Sequence, residues 1–178
     1  IGKFLAYADV SLFWMEYWDM TEFTFDLYLP DPFPVGEDPI NYIGFKAINI
    51  SRARIAGFEA SIFGEGMVGN TTLRWQGGYT YTYGVDMNQE PEVANIGNFL
   101  GKFFKSIGSS DEEVLQPLLK YRMRHSVKND IEIEYKQFIW GIDTRFYGKV
   151  EKVDDIFVAY IQGLDQYRRE NDHGSFLL

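Results

Sequence analysis

Residues with catalytic chemistry are sparse in this chain of 178 residues, which has two histidines, His125 and His173, and no cysteine. Neither histidine belongs to an HExxH pair or to any other spacing that would ligate a metal. His125 shares its parity with Tyr121 and Met123, which fits a contact between strands better than proton transfer, since no acid or base partner stands nearby. The missing thiols exclude disulfide scaffolds, thiol nucleophiles and thiolate metal sites. Ser109, Ser110 and Ser126 lack a nucleophile-elbow context, and neither GxGxxG nor GxxxxGK[ST] occurs. Asp111-Glu112-Glu113 and Asp154-Asp155 offer oxygens of the kind calcium takes, but no DxDxDG loop frames them, so they read as solvated loop charge. The sequence therefore points to no enzyme, no catalytic residue, no metal ligand and no cofactor. What remains is a pattern of charge. Lys120, Arg122, Arg124, Ser126, Lys128, Asp130, Glu132 and Glu134 fall on one parity, and Tyr121, Met123, His125, Val127, Asn129, Ile131, Ile133 and Tyr135 fall on the other.

A period of two places these residues on a strand whose faces meet different environments, whereas a helix would scatter the charges around its circumference. The run over residues 120–135 is also long. Soluble strands average about 5–6 residues, while a tilted strand crossing an outer membrane needs roughly 9–11. Four further segments read the same way. Residues 3–17 alternate through Phe4, Ala6, Ala8, Val10, Leu12 and Trp14. Residues 44–63 are less regular, with a parity shift near Ser51 to Arg54 that suggests a bulge. Residues 71–83 put Leu73, Trp75, Tyr79, Tyr81 and Tyr83 on one face and Thr72, Arg74, Gln76, Thr80 and Thr82 on the other. Residues 138–147 set Phe138, Trp140, Ile142 and Phe146 against Asp143 and Arg145. All six prolines lie outside these segments, as the missing N–H of proline requires.

The connectors alternate in length: residues 18–43 long, 64–70 short, 84–119 long, 136–137 minimal and 150–174 long. Long loops on one side and short turns on the other describe an all-β, antiparallel, up-and-down meander, a segment of a transmembrane β-barrel with outward loops and periplasmic turns. Within the second long connector, Phe99, Leu100, Phe103, Phe104 and Ile107 have helical spacing over residues 98–107; packing of the loop on itself is the favoured reading. Ser109-Ser110-Asp111-Glu112 resembles a capping box before residues 114–119.

Composition agrees with this class. The chain is 46% hydrophobic and 17% aromatic, and Tyr and Trp favour surfaces that meet both hydrocarbon and water. No run of about 18 apolar residues provides a spanning helix, which does not bear on a barrel. The formal charge of −9 argues against a nucleic-acid partner, which demands clustered Lys and Arg. A chain that opens on Ile1-Gly2-Lys3 and stops at Leu177-Leu178 is expected to be one part, residues 1–178, of a longer polypeptide.

The sequence Asn49-Ile50-Ser51-Arg52-Ala53-Arg54-Ile55-Ala56-Gly57-Phe58-Glu59 resembles a strand motif of TonB-dependent outer-membrane receptors. In that motif Asn, a small residue, an apolar residue, Gly and an apolar-Glu pair recur at this spacing; Asn49, Gly57 and Glu59 carry the match. Residues 12–20 and Gly78-Tyr79-Thr80-Tyr81-Thr82-Tyr83 look like the flanking strands. Tyr121-Arg122-Met123-Arg124-His125 looks like a downstream strand with a Tyr-Arg-x-x-His pattern. The resemblance covers nearly the whole chain and looks closest to receptors of the Bacteroidetes group. It implies late strands of a receptor barrel, without plug, TonB box or final strand, in the outer membrane of a Gram-negative bacterium. Its implied partners are outer-membrane lipid, TonB through the missing N-terminal part, and a small nutrient such as a ferric siderophore, cobalamin or glycan. In such a barrel Arg74, Lys120, Arg122, Arg124, Lys128, Asp130, Glu132 and Glu134 are expected to face the lumen, because hydrocarbon penalises charge on the outer wall. Gly57 and Glu59 are read as barrel architecture, not as ligand contacts. A non-transporting adhesion barrel is the alternative, and a secreted all-β carbohydrate enzyme with an Asp/Glu pair is a more distant one.

Overall fold

The computed structural model describes residues 3–107, 117–171 and 175–177. Six strands form one antiparallel sheet: β1 (Phe4–Leu27), β2 (Ile43–Val68), β3 (Thr71–Asp86), β4 (His125–Tyr135), β5 (Phe138–Tyr147) and β6 (Ser175–Leu177). Each strand pairs with the next in sequence, so the sheet is an up-and-down meander with β1 and β6 as its edges. Among the described residues three α-helices decorate the connections: α1 (Ile96–Ser106), α2 (Asp155–Tyr160) and α3 (Leu164–Glu170). The capping-box reading at Ser109 to Glu112 and residues 114–116 lie outside the described residues.

Connection lengths alternate as the sequence indicates. β2 and β3 are joined by Gly69-Asn70 and β4 and β5 by Lys136-Gln137, with Gly69 at φ 62° and Lys136 at φ 56° supplying the left-handed residue that a two-residue turn needs. The other connections span residues 28–42, 87–124 and 148–174 and all leave from the opposite end of the sheet. β1, with 24 residues, and β2, with 26, run well past the roughly 9–11 residues that suffice to cross a membrane. β1 continues above the segment that alternation marked out, and β2 continues below its segment toward the turn at Gly69.

Two expectations need correction. The parity change near Ser51 to Arg54 is real, because Ile50 and Met20 join a cluster with Ala53, Ile55 and Phe13, residues of the other parity. Yet it is not a one-strand bulge: Trp18 pairs with Arg52 and Met20 with Ile50 in an unbroken register. Asp19 takes a left-handed φ of 53°, and both strands reverse facing together without an inserted residue. The fourth strand, in turn, begins at His125 and not at Lys120. Leu118 bridges Val85 and His125 pairs with Tyr81, so six residues intervene on one side of the ladder where three intervene on the other. The surplus loops out around Tyr121, at φ 56°, and takes Lys120, Arg122 and Arg124 off the wall.

Candidate functional site

The ladders assemble two unlike faces from residues of fixed parity. One face carries Val10, Leu12 and Trp14 of β1, Ala60 and Phe58 of β2, Trp75 and Tyr79 of β3, Ile131 and Val127 of β4, and Ile142 and Trp140 of β5, aligned row by row. It is apolar from the short turns upward. Its lower rows are left open, with Val10 69% and Trp140 73% exposed, whereas higher on the same face Tyr81, Tyr83 and Val85 are completely buried. The sheet chemistry is continuous across that boundary. What changes is the cover, because α1 and the short helix at Pro91–Ala94 lie over the upper rows.

The boundary falls at a meaningful height. Ten residues separate Thr71 at the turn from Tyr81, and at roughly 3.3 Å each with a tilt of about 35–45° they climb ~25 Å, the height of an outer-membrane barrel's apolar band. Above it, the second long loop covers the apolar rows. Its helix starts on Asn95, whose side chain accepts from Gly97 N and Asn98 N. Phe99 and Phe103 then reach the sheet, Phe99 packing edge-on to Trp14 at 4.9 Å. The helical spacing thus serves packing on the sheet more than packing of the loop on itself.

Arg54 pins this cover. Its guanidinium is buried, donates to the Glu16 carboxylate (Nε 2.8 Å, Nη2 2.6 Å) and to Val93 O at 2.7 Å, and lies 4.8 Å from the Trp14 ring and 4.9 Å from the Phe99 ring. Arg124 secures the other end of α1: it is buried, donates to Ser106 O and pairs with Glu151. A cation at a helix C-terminus satisfies a free carbonyl and meets the negative end of the dipole. Gly57 serves the sheet beneath, because a Cβ there would fall 2.0 Å from Tyr81 O and 2.4 Å from the Phe13 ring, which lies over it. His125 donates or accepts across strands with Tyr79 Oη at 2.8 Å.

The second face is polar. Arg74 bridges Glu65 (3.1 Å), Glu134 (3.3 Å) and Glu132, tying β2, β3 and β4. Lys128 stands opposite Arg145 and Asp130 opposite Asp143, and the Arg145–Asp143 pair at 3.0 Å offsets the like-charge neighbours. Exposed Glu59 shares this face beside Thr80. Of the charged residues singled out in sequence, the structure therefore gathers Arg74, Lys128, Asp130, Glu132 and Glu134. Arg122 is exposed in the looped-out segment, and Asn49 is exposed opposite Thr21 near the loops.

Lys120 belongs to a third cluster that sequence reasoning missed. The Asp154 carboxylate, 1% exposed, takes Lys120, the Tyr121 hydroxyl and, at 2.8 Å, Phe25 N–H. Three separate segments, the rim of β1 and the second and third long loops, meet on one anion. Burial alone would raise the Asp154 pKa, but Lys120, Tyr121 and the Phe25 amide together hold it below the usual carboxylate range. Burial, reinforced by Asp154, pushes the Tyr121 hydroxyl up to about 12. A depressed carboxylate pKa stabilises the folded state above its unfolded value of about 3.9, and that stability disappears as pH falls through the folded value. Asp154→Asn is accordingly expected to cost about 1.5–3 kcal/mol of local stability, read as faster hydrogen exchange at Phe25 near neutral pH. The difference from the parent should vanish well below pH 4.

Among the described residues no group of three or more His, Asp or Glu could hold a metal ion, and no helix is long and apolar enough to cross a membrane. Compared with protein-family models, curated proteins and solved structures, the chain finds no match.

Proposed function

We propose that this sheet is part of the wall of an outer-membrane β-barrel of the TonB-dependent receptor class. The carrying observation is the apolar face that is bare over a height of ~25 Å and sheltered by a helix above it. Water would penalise the bare rows, which form a contiguous patch of the kind soluble monomers avoid, while lipid would not. The polar face with Arg74, Lys128, Asp130, Glu132 and Glu134 then lines the lumen, the short turns face the periplasm, and the long loops face outward.

The receptor reading rests on the motif with Asn49, Gly57 and Glu59, and it assigns the intact protein to energy-coupled uptake of a scarce nutrient. Ferric chelate, cobalamin and glycan are the classes to compare. Deleting the gene should abolish growth on one limiting nutrient of these three, and deleting TonB should give the same loss. Surface binding that needs this protein but is indifferent to TonB would favour the adhesion barrel.

Topology gives a separate prediction. An epitope inserted after fully exposed Val35, in the first long loop, should bind antibody on intact cells. One inserted after Asn70 should bind only after the outer membrane is opened. The reverse pattern would invert the barrel.

A further inference from the structure

Between α1 and the β1–β2 hairpin lies a cleft of about 480 Å³, within the range of about 300–1,000 Å³ typical of small-molecule sites. Its eleven lining residues are all apolar or glycine and none carries a charge. The floor is low because Ala56 and Gly57 have little or no side chain. Leu12, Trp14 and Phe58 form one wall and Phe99, Leu100 and Phe104 the other. Leu12 and Phe104 stay 82% and 66% exposed, so the mouth is as apolar as the interior.

We infer that this cleft takes an acyl chain of an outer-membrane lipid; the inference rests on the membrane reading of the bare face. Leu12 and Phe58 are the top row of that face, so the cleft is its upward continuation and opens where chains of the outer leaflet end. A nutrient or sugar would need hydrogen-bonding groups to orient it, and the lining offers only the Trp14 indole. An alkyl chain needs none.

The test uses the full-length protein in isolated outer membranes, with a benzophenone photo-cross-linking side chain placed in turn at Leu100, Ile142 and Glu59, and mass spectrometry of the adducts. Lipid adducts are expected at Leu100 and Ile142 and not at Glu59. Leu12→Glu, and independently Ala56→Leu, which fills the floor without charge, should lower the Leu100 adduct by about tenfold while sparing the one at Ile142. Lipid adducts at Ile142 without any at Leu100 would overturn the cleft and leave the membrane reading intact. So would a Leu100 adduct that both substitutions leave unchanged. Adducts at Glu59 in place of Ile142 would instead overturn the membrane reading itself.

Discussion

Replacing Arg54 with Met is expected to free the second long loop from the sheet. The guanidinium is enclosed by Glu16, Val93 O, Trp14 and Phe99, so truncation leaves the half-buried Glu16 carboxylate with the more exposed and more distant Arg52 at 3.5 Å and removes the plate on which two rings rest. Breaking one side of a buried ion pair costs about 3–5 kcal/mol, enough to change the docked fraction of α1 by more than a hundredfold. Arg54→Lys should not restore it, because a point charge neither stacks between rings nor forks onto Glu16. The check is hydrogen exchange followed by mass spectrometry on the peptide covering Ile96–Ser106, with Phe138–Tyr147 as internal reference. Loss of protection in α1 alone is the expected result; unchanged protection would show that Phe99 and Phe103 hold the helix without Arg54. Combining Arg54→Met with Glu16→Gln should cost less than the two changes summed, since both disrupt one network.

Legibility in the sequence followed the strength of the local period. β5 was found at its full extent, Phe138–Tyr147, because clean alternation follows a two-residue turn and no competing contact perturbs it. β4 was over-extended because Lys120, Arg122 and Arg124 keep the parity of a strand they do not join; Lys120 is held by Asp154 and Arg124 by Glu151 and Ser106, partners 18 to 34 residues away. Periodicity carries no information about such distant pairs. The upper end of β1 escaped for a related reason, since above Asp19 both strands reverse facing together and a single-strand pattern registers only disorder.

The polar face was the most legible part of the candidate site, and the rim the least. Arg74, Lys128, Asp130, Glu132 and Glu134 alternate within regular strands, and the ladders bring them together as parity requires. Glu16 and Arg54, by contrast, interrupt an apolar parity in their own strands. That violation was a usable signal, because two opposite charges on an otherwise apolar face, paired across one hairpin, imply a clamp to something above the face. Gly57 was read as architecture, and the 2.0 Å gap from a hypothetical Cβ to Tyr81 O gives that reading a physical cause.

A second large effect concerns which face meets lipid. Ile131 lies four residues from the turn end of β4, about 10 Å up at the rise and tilt of a barrel strand, near the middle of a ~25 Å band. An arginine there would cost roughly 2–4 kcal/mol in hydrocarbon, and Val127→Arg, closer to the upper boundary, should cost less. Lys128→Gln and Asp130→Asn change charges on the opposite face, where solvent and neighbouring polar groups absorb the loss. Heat-modifiable gel mobility of the full-length protein in isolated outer membranes, compared across these four substitutions, reads folded barrel directly. A marked loss of the folded band for Ile131→Arg, a smaller loss for Val127→Arg and near-parental yield for Lys128→Gln and Asp130→Asn is the predicted result. Equal folded yield in all four, or a greater loss from the neutralised pair, would contradict the assignment of the apolar face to lipid.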